Sequence, residues 1–334
     1  MENKNLAEAK VKKNDEFYTQ YEDIEREISA YLSHNPNVFE NKTVLCPCDD
    51  PACSNFTKYF VRNFSALKLH KLISTSRASQ SEEKGRYFAL TTADHRLIDR
   101  GDVHSLKWEY LNENGDFRSD EIKAFRDESD IIITNPPFSM YKEFVPWLAE
   151  SGKQFLVIAN KNSITYKEVF PLIMDGKMWS GNRKWGGGMW FETNNLDDVD
   201  KVVNGVNLKN VSSVWFTNME HGRRHKPLEL MTMADNIKFS KHKKIRENGY
   251  QKYENYDAIE VPFTDAIPAD YNGVMGVPIS FLEKHCPEQF EIIGATESEG
   301  QGFSNGLWNK MSGVAQPLLN GKRLYKRFFI RTKR

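Results

Sequence analysis

The sequence predicts an α/β protein built on a doubly wound, mostly parallel sheet, and three observations carry that expectation. Strand and helix patterns alternate over about 170 of the 334 residues. Short apolar runs end in polar, proline-bearing loops, where open α/β sheets place their ligands. The composition, 39% hydrophobic and 28% charged with no net charge, suits one large globular domain plus a smaller one.

Residues 1–14 are polar and lysine-rich and are expected to form a flexible tail. Phe17, Tyr18 and Tyr21 then lead into a helix to about residue 32, broken at Asn35-Pro36-Asn37. Residues 42–46 read as a strand, followed by Cys46-Pro47-Cys48-Asp49-Asp50-Pro51. A helix over 55–63 puts Phe56, Tyr59 and Phe60 on one face. Strand, polar loop and helix make the first half of a nucleotide-binding unit. The glycine-rich fingerprint is missing, so the loop is not a phosphate cradle. Its two carboxylates suit a cationic or hydroxyl-rich ligand.

A second strand is predicted over 69–74, short strands over 87–91 and 97–98, and a turn at Asp99-Arg100-Gly101-Asp102. Helices are expected over 119–128, 141–150 and 167–174, with a strand over 154–159. Residues 185–190 and 211–217 read as β segments that complete the sheet. Beyond about Met219 the chain turns basic and loop-rich, which divides it into a domain over 15–218 and a region over 219–334.

The most informative stretch runs from Asp130 to Phe144. Ile131, Ile132 and Ile133 form a buried strand that Asn135-Pro136-Pro137 stops, because neither proline can donate to a ladder. The resulting stiff loop offers mainly acceptors: proline carbonyls and the Asn135 side-chain oxygen. It suits an amino group with two hydrogens to donate, and Phe138 supplies a flat face for an aromatic ring. An exocyclic base amine fits both features.

Other patterns exclude function classes. Cys46, Cys48 and Cys53 are spaced C-x-C-x4-C, unlike a zinc site, and Cys286 is the remaining thiol, so no metal is expected. No apolar run reaches membrane-spanning length and the start is not a signal peptide, which favours a cytoplasmic protein. Charge is uneven: nine Lys or Arg against four acids from Glu220 to Lys252, and seven against none from Leu318 onward. That suits nucleic-acid binding through one face, with Arg223, Arg224, Lys226, Lys241, Lys243, Lys244 and Arg246 as candidates. A merely solvated surface is the plain alternative.

Taken together, these motifs resemble the adenine-specific DNA methyltransferases of the EcoRI type. Asn135-Pro136-Pro137-Phe138 is similar to their catalytic motif, and Asp15-Glu16-Phe17-Tyr18-Thr19 to their N-terminal cofactor motif. Residues 44–51 with Ser54-Asn55-Phe56 resemble the first cofactor loop, and residues 273–279 and 320–327 also match the family in order. The resemblance implies a Rossmann-like, S-adenosylmethionine-dependent methyltransferase fold with a C-terminal target-recognition region. It implies catalysis by Asn135, Pro136, Pro137 and Phe138, and cofactor contacts from Phe17, Tyr18, Thr19, Cys46, Cys48, Asp49, Asp50 and Asp102. Asp49 and Asp50 both stay open for the cofactor's ammonium or its ribose. It further implies a monomer acting on double-stranded DNA in a bacterial or phage modification system, whether or not a restriction endonuclease shares its site.

Two other classes compete. One is an acceptor-loop methyltransferase acting on RNA adenine or a protein glutamine amide, which a glycine-rich first loop and compact C-terminus would favour. The other is a nucleic-acid-binding module without catalysis, against which Asn135 and Phe138 count.

Overall fold

The computed structural model describes residues 17–78, 82–94, 107–298 and 300–333. Asp102, the strand expected over 97–98 and the Asp15-Glu16 half of the N-terminal motif lie outside them. The chain divides into two compact units, Met1–Ser163 with Met178–His221, and Ile164–Lys177 with Gly222–Arg334.

In the first unit, β-branched and apolar residues make the strands that organise everything else. Strands β2 (Thr43–Cys46) and β6 (Ile131–Thr134) are buried along their whole length. Asp130 sets their relative position: its backbone N–H donates to the Thr43 carbonyl at 2.9 Å, and its carboxylate accepts from the Thr43 N–H at 2.8 Å. With β3 (Lys71–Ser76), β4 (Arg86–Thr91), β5 (Glu109–Tyr110), β7 (Gln154–Asn160), β8 (Trp179–Ser180) and β12 (Ser213–Thr217) they form a sheet of order β5-β4-β3-β2-β6-β7-β12-β8. Pairing is parallel from β3 to β7 and antiparallel at both flanks, so the expected parallel sheet is its centre. From β2 the chain moves outward to β3, then returns to enter β6 on the other side of β2. The carboxyl ends of β2 and β6 therefore border the point where strand order reverses, the crevice in which such sheets hold ligands.

Helices α1 (Tyr21–His34), α2 (Asn55–Asn63), α3 (Asp120–Glu128) and α4 (Tyr141–Glu150) follow the sequence pattern. Ser54 caps α2 by accepting from the Phe56 N–H, and Ser119 caps α3 by accepting from the Ile122 N–H. The buried face of α2 carries Phe56, Tyr59 and Phe60, packed in a core with Ile24, Ile28 and Ile133.

A second, four-stranded sheet has the order β1-β9-β11-β10, from β1 (Tyr18–Thr19), β9 (Met189–Glu192), β10 (Lys201–Val203) and β11 (Val206–Val211). The segment 185–190, expected to complete the large sheet, instead contributes its end to β9 here. Gly187 and Gly188 adopt φ of 79° and 68°, which ends any extended run before Met189. Thr19 pairs with Phe191 across the β1–β9 ladder, so β9 holds the N-terminal motif.

The second unit has a mixed sheet, β13-β14-β18-β15, from β13 (Ile259–Glu260), β14 (Met275–Pro278), β15 (Phe290–Ala295) and β18 (Arg327–Thr332). Its helices are α5 (Phe170–Met174), α6 (Met233–Phe239) and α7 (Lys243–Asn248). Helix α5 begins three residues later than expected, with Pro171 in its first turn. Asn320 and Gly321, with φ of 51° and 71°, make the tight turn between β16 (Leu318–Leu319) and β17 (Lys322–Arg323). Arg327 and Glu260 form a buried bidentate pair, which the Tyr253 hydroxyl joins. Gly276 lies where any Cβ would overlap that Tyr253 ring. The motifs at 273–279 and 320–327 thus supply the packing and turns of this unit. No helix among the described residues is long and apolar enough to cross a membrane.

Candidate functional site

Three predicted motifs meet at the carboxyl ends of β2 and β6. Asn135 donates its amide Nδ2–H to the Phe17 carbonyl at 2.7 Å, which ties the Asn-Pro-Pro-Phe loop to the N-terminal motif. The same bond fixes the amide's orientation, because only the nitrogen can donate to a carbonyl. Its Oδ1 is left buried without a hydrogen-bond partner. A buried acceptor without a donor costs about 1–3 kcal/mol. The carbonyl of Pro136, itself a buried residue, is likewise not taken up by any described donor, whereas Pro137 accepts from the Met140 N–H at 3.0 Å. Asn135 Oδ1 is thus a buried acceptor left open in this loop, one residue before the Pro136 carbonyl.

Phe138 begins a short 3-10 turn that runs into α4. Its ring is half-buried, 6.1 Å from Phe17 and 6.3 Å from Phe191, and Phe17 and Phe191 are 6.0 Å apart. Sequence reasoning misses Phe191. Only the β9–β1 pairing brings it here, although its place two residues after Met189 on one strand face is a visible signal.

The first cofactor-loop candidate joins the same cluster. Asn55 donates to the Thr19 carbonyl at 2.8 Å, while the Thr19 hydroxyl is buried without a partner. Tyr18 begins β1 beside it. Asp49 and Asp50 part company in the fold. Asp49 is 6% exposed and turned inward, accepting from the Thr134 hydroxyl at 2.6 Å and the Ser54 hydroxyl at 2.8 Å. Burial pushes its carboxyl up to about 7, against the pull of those two hydroxyls and with a further push from Asp50. Asp50 is partly exposed, accepts from the Ala52 N–H at 2.9 Å, and pairs with Arg86 at 3.0 Å. Arg86 also pairs with Glu82 at 2.9 Å and lies over the Trp108 ring. No sequence pattern points to Arg86, which is 36 residues from Asp50.

Cys46 is fully buried and Cys48 half-buried at the end of β2. Burial pushes both thiols well up, with Asp49 adding to it, so both stay neutral rather than nucleophilic. No group of three potential metal ligands occurs among the described residues.

The basic candidates lie in the second unit and differ from one another. Arg223 pairs with Glu283, Lys241 with Asp265 at 2.7 Å, and Lys243 with Glu247 at 3.5 Å. Arg246 donates to the Ser240 carbonyl, and Arg224 is half-buried. Lys226 and Lys244 are exposed and form no ion pair among the described residues.

The model of the family "Adenine-specific methyltransferase EcoRI" matches residues 5–333. The chain is 40% identical to the Type II methyltransferase M.EcoRI of Escherichia coli, over 99% of this chain and 97% of that one. It is 36% identical to the Type II methyltransferase M.MpnI of Mycoplasma pneumoniae, over 85% of this chain and 83% of its relative. A third relative, the Type II methyltransferase M.MgeORF184P of Mycoplasma genitalium, is 33% identical over 97% of each. No solved structure matches the chain. With the family model covering almost every residue and the Asn-Pro-Pro-Phe loop open at the switch point of the sheet, this protein belongs to the EcoRI family of adenine-specific methyltransferases.

Proposed function

We propose that the protein methylates N6 of an adenine flipped out of double-stranded DNA, at a specific site, with S-adenosylmethionine as donor. One observation carries the reading: Asn135 has its donor pinned by the Phe17 carbonyl and its acceptor buried and open. An aromatic amine is a poor nucleophile because its lone pair is delocalised into the ring. Asn135 Oδ1 and the Pro136 carbonyl would each accept one N6 hydrogen, draw the nitrogen toward tetrahedral geometry and stabilise the positive charge that develops there. This is electrostatic preorganisation, with the desolvation cost met during folding. Phe138 would carry the flipped base on its face.

The residues fit the proposed cofactor. In support, the orphaned Thr19 hydroxyl, the Phe17 carbonyl tied to Asn135, the Cys46–Cys48 loop and Asp50, paired with Arg86, lie near the ends of β2 and β6, where a Rossmann-like fold would hold the cofactor. Tyr18 and Asp102 belong to the same proposed set, with Asp102 outside the described residues. When bound, S-adenosylmethionine supplies an activated methyl group on a sulfonium centre. The neutral thiols of Cys46 and Cys48 support direct transfer, without a covalent enzyme intermediate. The region 219–334 would read the DNA, and the family context supports a monomer working in the cytoplasm, with or without a matching endonuclease.

Single-turnover methylation of a cognate duplex tests this reading. Asn135→Ala should lower the rate about a hundredfold or more, the scale of one lost preorganised hydrogen bond. Asn135→Asp, which keeps an oxygen, should retain measurable activity. Cofactor and DNA affinity should change little in either variant. An alanine variant at the wild-type rate would reduce the loop to a turn.

A further inference from the structure

We propose that Asp49 is a positioning residue: through the Thr134 hydroxyl it fixes Asn135, the next residue in the chain, where it meets the substrate amine. The proposal rests on Asn135 being the acceptor. It separates Asp49 from Asp50, which the sequence left equivalent, by giving Asp49 no outward task.

The geometry begins where the sheet ladder stops. Strands β2 and β6 register Val44 with Ile131 and Leu45 with Ile132, and no ladder pairing continues beyond. On its other side β6 stays paired to β7 as far as Thr134 opposite Val157. Among the described residues, Ile133 and Thr134 thus have ladder partners in β7 and none in β2, and the 2.6 Å bond from Thr134 to Asp49 ties this end of β6 back to the loop that follows β2. That bond replaces the missing rungs. Thr134 is fully buried, so no water competes for its hydroxyl.

Asp49 is well built for an anchor. Its N–H donates to the Thr75 carbonyl at 2.9 Å, and its own carbonyl accepts from the Ser74 hydroxyl at 2.7 Å. The Ser74 hydroxyl also lies 2.6 Å from that of Thr57, on α2. The preceding loop is tied too, since Thr75 donates its hydroxyl to the Pro47 carbonyl at 3.1 Å. The end of β3 thus holds the main chain of Asp49, while the end of β6 and the cap of α2 reach its carboxylate, both of whose oxygens accept from buried hydroxyls. A side chain so occupied is poorly placed to seek a ligand, whereas a displacement of about 1 Å in a reacting group can cost a hundredfold in rate.

Methylation by the full chain at saturating S-adenosylmethionine, with cofactor affinity measured separately by titration calorimetry, tests the proposal. Thr134→Val should slow single turnover about tenfold or more while cofactor affinity stays within about twofold. Thr134→Ser keeps the hydroxyl and should return the rate to near wild type. Asp49→Asn, which keeps the shape but not the paired acceptors, should slow turnover similarly, and adding Thr134→Val should slow it little further, as expected for two partners in one interaction. The proposal is overturned if Thr134→Val turns over like wild type, if the serine variant is as slow as the valine one, or if the loss lies in cofactor affinity. Should Thr134→Val not fold, Asp49→Asn decides by the same rate and affinity criteria. Asn135→Ala separates the two claims. If it is slow while Thr134→Val is not, only the positioning role fails; if it is not slow, the acceptor assignment itself fails.

Discussion

Asn135, Phe138 and Asp49 each place one side chain under a constraint that a turn or a core would not require. Phe138 keeps its ring half-exposed although Phe17 and Phe191 offer it an apolar cluster. Phe138→Ala should weaken the flipped-out state by about 1–3 kcal/mol, the worth of one base stack. With 2-aminopurine at the target position, fluorescence should rise on binding wild type and rise less with the variant; an equal rise would remove Phe138 from base holding. Asp49 has a pH signature. Its folded carboxyl titrates near 7, above the ordinary carboxylate range, because of burial first. The folded state therefore binds a proton more tightly than the unfolded one. That contribution is fully present below about pH 4 and is lost as pH rises through 7. Urea denaturation across this window should show wild type losing stability relative to Asp49→Asn as pH rises, and parallel curves would contradict the shift. The Asn-Pro-Pro-Phe loop was legible from sequence because prolines after an apolar run restrict backbone and donors at once. The hydroxyls of Ser54, Thr57, Ser74, Thr75 and Thr134 were not. Threonine and serine carry no periodic signal, and Asp49 and Thr134 are 85 residues apart.

Among elements, helices were read most closely. The α2 face of Phe56, Tyr59 and Phe60 and the Ser119 cap of α3 are local features that a sequence displays directly. Strand partners depend on distant residues, which is why the segment ending in Met189 and Trp190 was placed in the wrong sheet. The basic cluster shows the same limit. Sequence counts charges, while the fold decides which are engaged: Lys241 answers Asp265, whereas Lys226 and Lys244 stand exposed. Neutralising Lys226 and Lys244 should weaken binding to specific and random DNA alike and flatten the salt dependence by about one unit for each phosphate no longer neutralised. Lys241→Ala should alter both less, as its charge is already partly compensated. Filter binding over a salt series measures this, and an unchanged slope in the Lys226, Lys244 double variant would make these lysines surface decoration.

For the whole molecule, alternation of strands and helices foretold the parallel centre of the large sheet, from β3 to β7. It said nothing of the antiparallel flanks, because β12 reads like any buried strand and its direction is set by its entry from β11. Nor does composition mark the excursion of residues 164–177 into the second unit, which is as apolar as the helices around it. The N-terminal tie carries a consequence for robustness. The group that orients Asn135 is the carbonyl of Phe17, an atom of the main chain that every amino acid possesses. Genetic drift at position 17 can change the ring but cannot delete the carbonyl. A protease can: one cut between Phe17 and Tyr18 would leave the strands of the large sheet intact and sever the orienting group from the strand that β9 holds. The tether that orients Asn135 is thus tolerant of mutation and vulnerable to cleavage, so intact N-terminal mass is a more telling check on a preparation than its overall fold.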